Sequence, residues 1–329
     1  MKRLDFAPGS IVEWLMTART PALILCLTAL ASAAAAVPRP DLLAAAKKAH
    51  DENREPDEVR LVKEAVAAGD PRAEFWLGIL YERGHGVPQD QKEALSWFFR
   101  AANAGDAMAE GRLGFLFYTG RGVPQDYERS FSWYTKSVTG KNVSKNRLAA
   151  SWCNLGNLYF WGRGTPKNPA KARDCYSRAA DLGSAFAQNN LGYFLEHGIG
   201  GARDYAQAVA WYRKAAEQGL ASAQSNVGVM VDEGRGTASD ALAAAGWYRK
   251  AARQGSAQAQ YHLGRAYELG RGVGKDLVQA YAWYSVAGAR GGKAAKDSQD
   301  SLARLKTVLT SDQLARAEAV AAQEGKNHD

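Results

Sequence analysis

Apolar residues along most of the chain recur three and four positions apart, and no run alternates apolar with polar long enough to propose a strand. The stretch "AQAQYHLGRAYEL", 257–269, shows the pattern: Leu263 and Tyr267 share one helical face. Gly270 and Gly272 follow and end the helix, because glycine takes a positive φ without steric cost. Asp276 then caps a second helix. The same local grammar predicts a helix hairpin wherever it recurs.

It recurs six times. "WLGILYERGHGV" lies at 76–87, "RLGFLFYTGRGV" at 112–123, "NLGNLYFWGRGT" at 154–165, "NLGYFLEHGIGG" at 190–201, "NVGVMVDEGRGT" at 226–237 and "HLGRAYELGRGV" at 262–273. The first glycines, Gly78, Gly114, Gly156, Gly192, Gly228 and Gly264, are spaced by 36, 42, 36, 36 and 36 residues. Trp97, Trp133, Cys175, Trp211, Trp247 and Trp283 keep the same step. A fixed period of this length means stacked supersecondary units. Each second helix starts at Asp90, Asp126, Asn168, Asp204, Asp240 or Asp276. Asp90 with Glu93, Asp204 with Gln207 and Asp276 with Gln279 have the spacing of a capping box. A mid-helix glycine costs about 1 kcal/mol relative to alanine. Six such glycines imply a close backbone approach, with the small residue three before each anchor, Ala94, Ser130, Ala172, Ala208, Ala244 and Ala280, as the expected partner. The tryptophans are read as core. "GRGVGK" at 270–275 is no phosphate loop: Leu269 stands where that loop needs glycine, Asp276 follows Lys275, and a helix precedes.

The pattern "LGxxYxxGRGVPxDxxxAxxWYxxAAxxG" resembles the Sel1-like repeat, a branch of the tetratricopeptide-type solenoids, over roughly 57–325. The resemblance implies an all-α fold, a right-handed α-α superhelix of about six helix-turn-helix repeats with capping helices at both ends. It also implies a non-catalytic adaptor or regulator that binds protein segments, with bacterial envelope signalling or assembly as its setting. "DLLAAAKKAHDEN" and "EVRLVKEAVAAGD" are read as an N-terminal cap, 37–70, before six repeats at 71–292. "TSDQLARAEAVAAQ", with Thr310 or Ser311 as cap, is the closing helix of 293–329. In similar solenoids the first helix of each hairpin lines the concave face, with positions one and four after the LG glycine pointing inward. Those positions include Ile79, Glu82, Phe115, Tyr118, Asn157, Phe160, Tyr193, Glu196, Asp232, Arg265 and Glu268. They read as a partner-binding face, aromatic in the middle and acidic at the flanks, suited to apolar anchors with some basic character. Local i,i+3 pairing, such as Glu268 with Arg271, is the alternative account of the acids.

Composition adds direction. "MTARTPALILCLTALASAAAAVPRP", 16–40, has the layout of a secretory signal covering 1–36, with Met16 as an alternative start. Export places the protein in the periplasm or outside the cell; an uncleaved segment 21–37 would anchor it to a membrane instead. With 42 basic and 34 acidic residues the net charge is +8, mild for this length, and an acidic groove argues against nucleic acid. Cys153 and Cys175 fall at matching levels of one hairpin, as a disulfide or as two buried thiols. The six extra residues near 139–147 form a basic inter-repeat insertion, read as a tolerated loop or as a contact beyond the groove. His50, His85, His197, His262 and His328 form no metal-spaced pair, and no catalytic motif or cofactor site is visible. The expected partner is a protein or peptide segment, bound by a monomer that needs no cofactor. Two rivals stay open: a hydrolase of cell-wall or β-lactam amides, and a carbohydrate-binding or exopolysaccharide-assembly scaffold with polysaccharide as its partner.

Overall fold

The computed structural model describes residues 41–140, 143–289 and 292–326. The signal and anchor readings of 1–37 lie outside these residues, as do His328 and the two positions 141–142 of the insertion. Sixteen helices and no strand form among the described residues. No described helix is long and apolar enough to cross a membrane.

The chain divides into two units, at Gly69 and Asp70. The described part of the first is a hairpin of α1 (Leu42–Asp51) and α2 (Glu55–Ala67). Asp41 caps α1 by accepting from the Ala44 amide, and Asn53 makes the turn at φ 53°.

The second unit repeats one hairpin six times. Its first (A) helices are α3 (Pro71–Arg83), α5 (Ala107–Thr119), α7 (Lys145–Trp161), α9 (Ala185–His197), α11 (Ala221–Glu233) and α13 (Ala257–Leu269). The second (B) helices are α4 (Gln91–Asn103), α6 (Tyr127–Ser137), α8 (Pro169–Asp181), α10 (Tyr205–Glu217), α12 (Ala241–Ala252) and α14 (Leu277–Gly288). Helices α15 (Gly292–Lys306) and α16 (Ser311–Lys326) close the array. The sequence suggested a single closing helix. Helix α15 lacks the glycine signature and is held by tertiary contacts through Leu302 and Leu305.

Every A helix ends at a glycine with positive φ, such as Gly270 at 69°. The second turn glycine has a further reason: a Cβ on Gly272 would overlap the Ala241 carbonyl of the preceding B helix. The B-helix caps behave as read, with one correction. Asp90 accepts from the Lys92 and Glu93 amides, Asp204 from Gln207, and Asp276 from Val278 and Gln279. The reciprocal half of the capping box is absent, because each cap's own N–H donates back to its A helix, as Asp276 to the Tyr267 carbonyl at 2.9 Å. That bond closes the hairpin instead. Thr310 and Gln313 do form the full box: the Thr310 amide donates to Gln313 Oε1, and the Gln313 amide to Thr310 Oγ1.

The mid-helix glycines meet an aromatic ring, the residue after each anchor. A Cβ on Gly192 would lie 2.7 Å from Tyr212, and Phe98, Tyr134, Tyr176, Tyr248 and Tyr284 fill the same place in the other copies. The small residues read as the partner are fully buried beside it, and the Ala94 and Ala280 carbonyls come to 3.2 Å of the same point. The ring is nonetheless the nearer neighbour. The tryptophans also need correcting. Only Trp283 is buried; Trp97, Trp133, Trp211 and Trp247 are half-buried, each under a cation one turn on, with Lys214 Nζ 3.7 Å from the Trp211 ring centre. Their register places them at the edge of the core and the following residue at its centre.

Candidate functional site

Three of the five successive A-helix pairs touch, α5 with α7, α7 with α9 and α11 with α13, whereas no successive pair of B helices meets to that extent. The array therefore curves toward the A helices, and their free face is the inner one. The eleven residues read from sequence as this face are all half-buried or exposed, with none sealed in the core. Tyr193 is 45% exposed, its ring 4.2 Å from that of His197 one turn on. Phe160 is more committed to packing, against Phe194 at 5.1 Å and Trp161 at 4.7 Å between ring centres. Trp161 and Phe186 are exposed large apolar side chains on α7 and α9.

The acids at position four are bound by the protein itself. Glu196 accepts from the Tyr212 hydroxyl at 2.8 Å and pairs with Arg235 of the next turn at 2.6 Å. Burial, then the Glu196 charge, pushes the Tyr212 phenol far above its ordinary value, so it stays a donor. Asp232 pairs with Arg271 at 2.9 Å, Glu82 with Arg112, and Glu268 with Arg304. Arg304 donates to Glu268 and holds its carboxyl below the usual range. Where position four is Tyr118, its hydroxyl accepts from Arg163 at 3.4 Å. The local Glu268–Arg271 pairing weighed from sequence is replaced by a bond to Arg304 of α15, the element packed next along the array. Position one serves the same ring in repeat three, where the Tyr176 hydroxyl donates to Asn157 at 2.7 Å.

A second set of polar bonds escaped the sequence reading. Gln188, Gln224 and Gln260 are buried, and each donates to the carbonyl of a preceding B helix, Ala180, Ala216 or Ala252. Within a repeat Gln218 donates to Gln188 and Gln254 to Gln224, so together with the carbonyl bonds a chain of contacts runs from repeat to repeat. The 36-residue spacing of these glutamines was the available signal. His262 lies stacked on Tyr248 with 5.0 Å between ring centres. Burial, with Arg265 nearby, pushes its imidazole down to about 4. Cys153 and Cys175 are free thiols, which burial raises to about 11 and about 12.

A repeated helix hairpin with an open inner face and a packed core defines a helical-repeat protein of the binding, solenoid class. The Sel1 repeat family model matches residues 71–106, 107–142, 149–184, 185–220, 221–256 and 257–292, and the chain belongs to the Sel1 repeat family. A Sel1 repeat protein from Oxalobacter formigenes is similar at 27% identity over 78% of this chain and 98% of its own, with a TM-score of 0.66. A protective antigen of uropathogenic Escherichia coli is 26% identical over 83% of this chain and 80% of its own, with a TM-score of 0.36. An immunity protein from Pseudomonas aeruginosa is 18% identical, with 69% and 82% covered and a TM-score of 0.41. Sel1 repeat proteins are generally non-catalytic helical scaffolds, and their fold is a protein-binding one.

Proposed function

We propose that this chain is an adaptor that takes up a protein segment along the inner face of its A helices, in the bacterial envelope after export. The observation that carries the reading is the A-helix face itself. The rest of each hairpin is packed, whereas Tyr118, Asn157, Tyr193 and Arg265 lie on the A helices of repeats two, three, four and six and keep surface to offer. An extended or helical segment with apolar anchors fits such a face. The groove acids supply no case for a basic segment, since arginines already neutralise them. Export rests on the N-terminal signal layout of 1–36. Binding rather than catalysis is the role that this face supports.

The test is cross-linking in the native host with a tagged chain that retains its N-terminus, followed by mass spectrometry. Tyr193→Ala should weaken capture of the partner about tenfold while leaving the melting temperature within a few degrees, as removal of one exposed aromatic anchor does. Capture that Tyr193→Ala leaves intact would sink the A-helix face as the binding surface. Phe160→Ala is the poorer probe, because its ring packs on Phe194.

A further inference from the structure

Between α3 and α5 the pattern of turn arginines breaks. Elsewhere a turn arginine reaches back to position four of the preceding repeat: Arg163 to Tyr118, Arg235 to Glu196, Arg271 to Asp232. In repeat two the turn arginine is Arg121 and the preceding acid is Glu82, but Glu82 is taken by Arg112 from within α5. Arg121 and Arg83 consequently form no ion pair among the described residues, and neither does Arg147. Arg147 has no counterpart in the other repeats. It belongs to an extra first turn of α7, which begins at Lys145, ahead of the repeat match at 149. The insertion thus does more than lengthen a loop: it adds a cation to the inner face.

Two hollows meet at Arg112. One, of about 170 Å³, lies between α5 and α7 and is lined by Met108, Arg112, Phe115, Tyr134, Arg147 and Asn154, among others. The other, of about 530 Å³, is a wider cleft bounded by Glu82, Arg83, Arg112 and Arg121. Arg112 Nε is buried without a hydrogen-bond partner, and its guanidinium lies 5.3 Å from the Phe115 ring centre. Asn154 donates to the Tyr134 hydroxyl at 2.9 Å, which orients both at the wall. Of the nearby acids, Asp106 is engaged with the Ala109 amide and Glu110 is buried on α5. Desolvation, then the Arg112 and Arg83 charges, lowers the Arg147 guanidinium from its ordinary value, against the pull of Asp106.

We propose that the hollow between α5 and α7 binds a carboxylate of the partner segment, an Asp or Glu side chain or a chain end, between Arg112 and Arg147. This rests on the reading that a segment occupies the A-helix face, and it adds the segment's chemistry. Two guanidinium groups offer a planar anion charge-assisted hydrogen bonds, and Met108 and Phe115 take the apolar part of the residue that carries it. Arg83 and Arg121 extend the field along the neighbouring cleft and draw in an acidic segment, in keeping with the net charge of +8. A free phosphate would find the same charges but no use for the apolar walls.

The test uses the purified full chain and a fluorescent peptide, Gly-Phe-Ala-Asp with a free C-terminus, against its amidated Gly-Phe-Ala-Asn counterpart, by anisotropy at low salt. The acidic peptide should bind at least about tenfold tighter, and salt should erode the difference. Arg147→Gln should abolish the preference and shift the melting curve by no more than a few degrees, since Arg147 is exposed, forms no ion pair among the described residues and gives up only its place over the Phe75 ring, 5.3 Å from the ring centre. Equal binding of the two peptides, no binding of either, or a preference that survives Arg147→Gln overturns the proposal. So does displacement of the peptide by inorganic phosphate at far lower concentration than by acetate. The two readings fail separately. A partner captured through Tyr193 with no acid preference leaves the adaptor and removes the carboxylate site. An Arg147-dependent acid preference with no Tyr193-dependent partner does the reverse.

Discussion

Gly192 and Tyr212 show how one residue type controls another in this fold. The glycine is tolerated mid-helix because the Tyr212 ring occupies the volume its side chain would need. Overpacking a filled core costs about 1–3 kcal/mol, so Gly192→Ala should lower stability by that amount in urea unfolding, despite alanine's better helix propensity. Glu110 offers a pH signature. Its carboxyl is buried and raised above the ordinary 4.5 by desolvation. A carboxyl raised on folding adds stability while protonated, below the unfolded value, and loses it as pH rises through the folded value. Glu110→Gln removes that loss. The variant should be about 1 kcal/mol more stable at pH 7, and the gap should close below pH 4, as denaturant titration across pH will report.

Hairpins are joined through the A-helix carboxylates rather than through local pairs. Glu196 is 12% exposed and holds two donors, the Tyr212 hydroxyl of its own hairpin and Arg235 of the next. Arg235→Gln leaves the carboxylate with one donor and should cost about 1–2 kcal/mol, more than an exposed pair would, as measured by thermal or denaturant unfolding. Arg235→Lys should recover part of it, since a point charge replaces a planar fork. The extra turn of α7 shows the same dependence on context. In sequence it read as an insertion between repeats; in the fold it is one more helical turn whose arginine faces the preceding A helix.

For the whole array, stability accumulates from neighbour to neighbour, so the ends matter most. Helix α16 covers Tyr281, Leu305 and Leu309 through Leu314 and Ala317. Deleting 311–329 should lower the melting temperature and expose an apolar edge. Dye binding and concentration-dependent association in light scattering will detect it.

The sequence alone settled the helix hairpin, its period and the family. Those rest on local physics repeated six times: capping residues, turn glycines and apolar spacing of three and four. It also marked which A-helix positions stay out of the core. What it left open needed three dimensions. The register of Trp211 and Tyr212 differs by one residue, about 100° around a helix, and only packing decides which ring enters the core. The partners of Glu82, Asp232, Glu196 and Glu268 lie 30 to 39 residues away, on the next hairpin or on α15, beyond any local spacing rule. That Arg147 lies over the Phe75 ring and forms no ion pair among the described residues follows from the same cause: whether a cation is neutralised depends on which neighbour the fold brings beside it.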